Sequence, residues 1–241
     1  MHDEFREASP QLKARIAGVF YLLNSGTGFA YSVRNQLVDS SNAVATASSI
    51  LAHERLFRIA LAADLAGVAA YVVVTALLYG LLKPVNKGLS LAAAFFSLVG
   101  CAIQASASIF DLSALGVLHS APSASAFNAG QSQLIALMLL RLHFQGFNIA
   151  ILFFGFYCLL IGYLILRSRF MPRVLGALVA LSGLAYVSNN FAVFLAIPIP
   201  MALAHLVPIL GGLGELSLML WLLIMGVNSQ QWREQAAAAA Q

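Results

Sequence analysis

Charge is what this sequence has least of. Only 9% of its 241 residues are Asp, Glu, Lys or Arg, 61% are hydrophobic, and mean hydropathy is +0.86. Soluble domains carry roughly 25% charged residues. So few charges cannot cover a water-facing surface, which excludes an ordinary soluble globule and leaves lipid as the solvent for most of the chain. The formal charge of +4 does not point to nucleic acid, because in a membrane protein basic residues mark the cytoplasmic side. Cysteine is scarce too. Cys101 and Cys158 both lie inside apolar runs, which excludes a disulfide framework and leaves them as small packing residues.

The usual catalytic signatures are also missing. There is no HxxxH or HExxH, so no metal ligand set is assigned. His143 or His205 could serve a haem as axial ligand, but no spacing selects either, and the cofactor stays unassigned. No GxSxG surrounds a serine. The GGLGE at Gly211 lacks the preceding strand and the spacing of a dinucleotide loop. No internal repeat supports an inverted-repeat transporter. The first apolar run has no small-residue cleavage site and reads as an uncleaved span.

What the chain does have is long apolar runs, and six emerge. The first runs from about Ala14 to Val33, behind a Ser9-Pro10 helix start. Asp39 to His53 reads as a short surface helix. The second span is about Leu56 to Leu82, and the third about Leu89 to Leu118. His119 to Gln133 reads as a loop. The fourth, Leu134 to Arg167, is 34 residues long, more than the roughly 20 that cross a hydrocarbon core. It is expected to divide at Gly146 into an outer helix and a span from Phe147. The fifth is about Val174 to Ile197, and the sixth about Met201 to Val227. The polar flanks, 1–13 and 229–241, bracket one domain of 14–228, and the tail reads as a short exposed helix or disorder. Nine Lys and Arg residues share one side against Arg34, Arg55, Arg58 and Arg141 on the other. This predicts both termini in the cytoplasm.

Polar residues in lipid should face the bundle interior, at i+3, i+4 and i+7. The third span carries Ser97, Cys101, Gln104, Ser108 and Asp111, spaced 4, 3, 4, 3. The first carries Asn24, Thr27, Tyr31 and Arg34. The second carries Asp64, Gly67, Tyr71 and Thr75. The fourth carries Arg141, Gln145 and Asn148, with His143 on another face. The fifth carries Ser182, Tyr186 and Asn189, with Asn190 beside it. The sixth carries His205, Pro208, Gly212 and Glu215. Small and hydroxylic members commonly glue helices together. An ionisable group near mid-bilayer costs about 2.5 to 3.5 kcal/mol, which packing alone seldom repays.

The predicted depths put Arg58, Asp64, Asp111, Arg141, His143, Asn189 and His205 in the outer half, with Glu215 deepest. This predicts a polar pocket that opens outward and takes a small apolar or amphiphilic ligand, lipid or isoprenoid-like. Glu215, Asp64 and His143 are the acid/base candidates. Arg58, Asp111, Arg141, Gln145, Asn148, Asn189, His205 and Asn24 are the candidate ligand contacts. Interhelical ion pairs that merely fix the bundle are the structural alternative. A proton-coupled transporter and a non-catalytic subunit or sensor are the functional ones. The expected partners are the bilayer and a lipophilic small molecule, with no nucleic acid and an unassigned oligomeric state.

Several segments carry a resemblance: ARIAGVFYLLN at Ala14, ERLFRIALAADL at Glu54, LLYGLLKPVNKGLSLAAAFFSLV at Leu77, LHFQGFNIAILFFGFYCLLIGYLILRSRFMPRVLG at Leu142, and GELSLMLWLLIMGV at Gly214. In order they resemble an uncharacterised bacterial membrane family, domain of unknown function 4386. The resemblance runs from about residue 12 to 228. It implies a six-helix bacterial membrane protein and no particular activity. The expected fold is an all-α bundle of six transmembrane helices in the bacterial inner membrane. Arg58, Asp64, His143 and Glu215 fall inside the matching segments.

Overall fold

The computed structural model describes residues 9–119 and 128–239, without the side chains of 201–205. The described residues form nine helices and no strand. In chain order these are α1 (Pro10–Leu23), α2 (Ser25–Leu37), α3 (Ala43–Ala52), α4 (Glu54–Leu82), α5 (Lys87–His119), α6 (Ala129–Arg167), α7 (Arg173–Phe194), α8 (Met201–Ile224) and α9 (Ser229–Ala238). Five are long and apolar enough to cross a membrane: α4, α5, α6, α7 and the Leu206–Ile224 part of α8.

Two expectations change here. The first predicted span is two helices, broken at Asn24, whose carbonyl takes the Thr27 N–H at 3.0 Å and whose side chain caps nothing. At 1.5 Å per residue the 14 residues of α1 rise only about 21 Å, less than a hydrocarbon core of about 30 Å. The fourth span, by contrast, does not divide. α6 runs unbroken through Gly146 for 39 residues, and it starts inside the expected loop, at Ala129. The rest of that loop, 120–127, lies outside the described residues. Gly146 serves close packing instead: a Cβ there would come within 2.9 Å of the Ala107 Cβ on α5.

The backbone divides into two compact units. The first comprises Met1–Leu22, Tyr71–Gly100 and Ile151–Gln241. Its α6–α7 seam is built on small residues, as membrane helix pairs often are. A Cβ on Gly162 would stand 2.6 Å from the Ala180 nitrogen, and one on Gly176 2.7 Å from that of Leu166. After α8 the chain turns at Gly226, with φ +69°. Gln11 of α1 braces the turn, donating to the Met225 carbonyl at 2.9 Å and accepting from the Val227 N–H at 2.8 Å. The tail is helical over Ser229–Ala238. Asn228 caps α9, and the Trp232 indole donates to the Leu81 carbonyl at 2.8 Å.

The second unit comprises Leu23–Ala70 and Cys101–Ala150. Here α2 lies close on α4: a Cβ on Gly26 would meet the Ala63 carbonyl at 2.6 Å, and one on Gly67 the Thr27 hydroxyl at 2.7 Å. The expected surface helix is α3. Asn42 caps it by accepting from the Ala45 N–H at 3.0 Å. The preceding turn is held by Thr46, whose hydroxyl donates to the Asp39 carbonyl and accepts from its N–H. Ala30, Val33, Leu37, Ile50, Phe57, Ala60, Ala114, Leu115, Ala136 and Leu140 pack into one buried apolar cluster from α2, α3, α4, α5 and α6.

Candidate functional site: a buried charge cluster

One helical turn beyond that apolar cluster, four helices of the second unit bring charge together. Arg34 closes the polar stripe of α2 and is 3% exposed. Its Nε donates to Asp111 Oδ2 at 2.8 Å, and its Nη2 reaches Asp111 Oδ2 at 2.6 Å and Asp64 Oδ2 at 3.0 Å. Gln104, two turns before Asp111 on α5, donates to Asp64 Oδ1 at 2.9 Å. His143 of α6 places Nδ1 3.1 Å from the Ala107 carbonyl and 3.4 Å from Asp111 Oδ2. A carbonyl can only accept, so Nδ1 carries the hydrogen. Asp64, Asp111 and His143 are all buried.

The two carboxylates are not treated alike. Asp64 has a donor on each oxygen. On Asp111 every partner converges on Oδ2, while Oδ1 is buried with none. Ser108, one turn back on the same helix, has a buried hydroxyl that also lacks a partner among the described residues. One guanidinium thus faces two carboxylates, and an unspent acceptor remains in a place shut off from water. An isolated buried charge is costly. The cluster is neutral only when it holds one more positive charge, which a proton on Asp111 or His143 would supply.

The stripes predicted for the second and third spans are inside. Asp64, Tyr71, Thr75, Ser97, Cys101, Gln104, Ser108 and Asp111 are all buried. On α6 the face assignment is reversed. Arg141, Gln145 and Asn148 are exposed, and His143 points inward. The buried face of α6 is Ala136, Leu140, His143, Ala150, Phe154, Tyr157, Ile161 and Leu164, an apolar stripe with one histidine in register. Arg141 reaches the turn before α3, donating to the Ser40 carbonyl. Arg58 is exposed and pairs with Glu54 at 2.6 Å. Asn24 is half-buried at the α1–α2 break, accepting from the Thr27 hydroxyl at 3.5 Å. Arg34 was placed on the first span's polar stripe and counted for topology, but not named among the site residues. Its signal was its place on a polar stripe when the stripes of the second and third spans each carried an aspartate and no cation.

In the first unit, Glu215 of α8 is half-buried, with Tyr186 of α7 as a neighbour. The Tyr186 ring lies on Gly211 and leaves no room for a Cβ there. The Tyr21 and Tyr71 hydroxyls stand 3.4 Å apart. The inward face of α8 is Gly211, Gly214, Leu218 and Leu222, while Pro208 is exposed, so the expected stripe is one residue out of register. Asn189 is half-buried; its buried neighbour Asn190 donates to the Tyr186 carbonyl at 2.9 Å. The side chain of His205 lies outside the described residues. Of the three acid/base candidates, Asp64 and His143 join one network, and Glu215 belongs to the other unit.

An all-helical chain with helices of membrane-crossing length, built around buried charge, is the class these features define. The chain belongs to the family described as Domain of unknown function (DUF4386), whose model matches residues 16–226. It is similar to an uncharacterized protein of Archaeoglobus fulgidus, 26% identical over 157 residues, which is 64% of this chain and 76% of that protein. No solved structure matches the chain.

Proposed function

We propose that this is a six-span protein of the cytoplasmic membrane, with both termini inside, that moves a small apolar or amphiphilic molecule in step with a proton. α1 and α2 together supply the sixth crossing. The proton site is the Arg34–Asp64–Asp111–His143 cluster, and the state described is a closed one, sealed by the apolar cluster one turn beyond it. The observation that carries this reading is the unmatched second carboxylate: Asp111 Oδ1, buried, without a partner, on a cluster one positive charge short of neutral. A purely structural ion pair is charge-balanced with one carboxylate per guanidinium. A site that loads and unloads a proton needs an acceptor that its fixed partners leave open.

Two measurements test it. Infrared difference spectra between acid and alkaline buffer should show a protonated-carboxyl band that disappears in Asp111→Asn. Proteoliposomes with a trapped pH dye should take up protons when amphiphiles that co-purify with the protein are added, and Asp111→Asn should abolish that uptake. Glu215→Gln is the companion arm: loss of turnover with proton uptake intact would favour an enzyme over a carrier. Proton uptake unchanged in Asp111→Asn, or no carboxyl band in the parent protein, would overturn the proposal.

A further inference from the structure

The corner between α3 and α4 holds a second feature that the buried cluster does not explain. An open hollow of about 570 Å³ is walled by Leu51, Ile59 and Ala62, with Glu54, Arg55 and Arg58 at its edge. Its walls are apolar yet uncovered: Leu51 is 44% and Ile59 50% exposed. Its edge is cationic. Glu54, the one carboxylate there, is already committed, with Oε1 on Arg58 Nε at 2.6 Å and Oε2 on His119 Nε2 at 3.0 Å. His119 Nδ1 lies 2.8 Å from the Leu115 carbonyl. Both ring nitrogens of His119 are therefore engaged. Arg55 has no partner among the described residues. Two arginines and a histidine stand around one carboxylate, at the head of a helix long enough to cross a membrane.

We infer that this hollow binds one anionic phospholipid, its phosphate on Arg55 and Arg58 and the start of an acyl chain against Leu51, Ile59 and Ala62. Guanidinium groups bind phosphate oxygens in a planar fork. Basic residues at the membrane surface favour anionic lipids. The apolar wall is what distinguishes a lipid from a free anion, which would use the arginines and leave Leu51 and Ile59 bare. A zwitterionic lipid of the same chain length would bring a quaternary ammonium into an edge that already carries excess positive charge. The site stands on residues of the second unit alone and does not depend on the proton-linked reading.

The test is native mass spectrometry of the full chain released from micelles, titrated with phosphatidylglycerol and with phosphatidylcholine of matched chains. The parent protein should retain one phosphatidylglycerol about tenfold more readily than phosphatidylcholine. Arg55→Gln, which leaves the Glu54–Arg58–His119 contacts in place, should lose most of that preference, and Arg55→Gln/Arg58→Gln should lose all of it. Arg141→Gln, an exposed arginine elsewhere in the unit, should keep it. Millimolar inorganic phosphate should not displace the lipid. Equal retention of the two lipids by the parent, an unchanged preference in the double variant, or displacement by free phosphate would each overturn the inference. Matching circular dichroism and unfolding temperatures would show that the variants fold.

Discussion

Removing Arg34 should destabilise the protein far more than removing either carboxylate it holds, because the cluster already has one negative charge too many. With His143 neutral, one guanidinium against Asp64 and Asp111 sums to −1. Arg34→Met keeps most of the apolar stem, deletes the contacts of 2.6, 2.8 and 3.0 Å, and leaves two buried carboxylates at −2. Gln104 remains on one and His143 on the other. Breaking a buried ion pair by deleting one partner costs about 3–5 kcal/mol. Asp111→Asn moves the other way, to a neutral cluster that keeps the Arg34–Asp64 pair, so its cost is about 1 kcal/mol. Combining Arg34→Met with Asp64→Asn and Asp111→Asn removes every net charge and should recover most of the loss, a coupling of up to about 3 kcal/mol. Thermal unfolding in mild detergent at neutral pH, followed by circular dichroism, measures the series. An Arg34→Met variant no less stable than Asp111→Asn, or a triple variant no better than Arg34→Met, would refute the charge argument.

Three further outcomes follow from the packing. Gly162→Leu should force α6 and α7 apart, since even a Cβ would stand 2.6 Å from the Ala180 nitrogen; a loss of about 1–3 kcal/mol or more is expected in the same unfolding assay. Trp232→Phe keeps the ring but removes the donor to the Leu81 carbonyl, so α9 should lose about 1 kcal/mol of docking, read as faster proteolysis at Arg233. Asp39 accepts from the Ser41 hydroxyl at 2.6 Å and its N–H at 2.8 Å, and these bonds hold its carboxyl below the usual aspartate range. A depressed carboxylate contributes its stability above the unfolded-state value and loses it as pH falls through the folded one. The turn before α3 should therefore hold at neutral pH and loosen only in acid, below ordinary aspartate titration. A carboxyl-detected NMR titration would check both the midpoint and its loss in Ser41→Ala.

The sequence carried the interior of α4 and α5 well, because deep in an apolar helix a polar residue has only one tolerable direction. The 4, 3, 4, 3 spacing from Ser97 to Asp111 points that way, and all five residues are buried. The same rule failed on the first half of α6. There Arg141, Gln145 and Asn148 lie on the exposed face. The single inward polar residue, His143, is hidden in an otherwise apolar register. On α8 the contact face is set by the smallest residues, Gly211 and Gly214, with Glu215 at its edge; a search for polar letters misses a face written in glycine. Arg34 was readable as chemistry only by asking what neutralises two aspartates on neighbouring spans. That pairing needs α2, α4 and α5 to meet, which periodicity within one helix does not supply.

The apolar cluster of the second unit has a consequence for the proton-linked reading. Leu140 and Ala114 stand three residues from His143 and Asp111 on their own helices, about 4.5 Å along each axis. On that reading a proton reaching the charges through this cluster crosses a single layer of apolar side chains. The thickness of that layer, rather than the strength of the ion pairs, would then set how fast the buried carboxylates exchange with water.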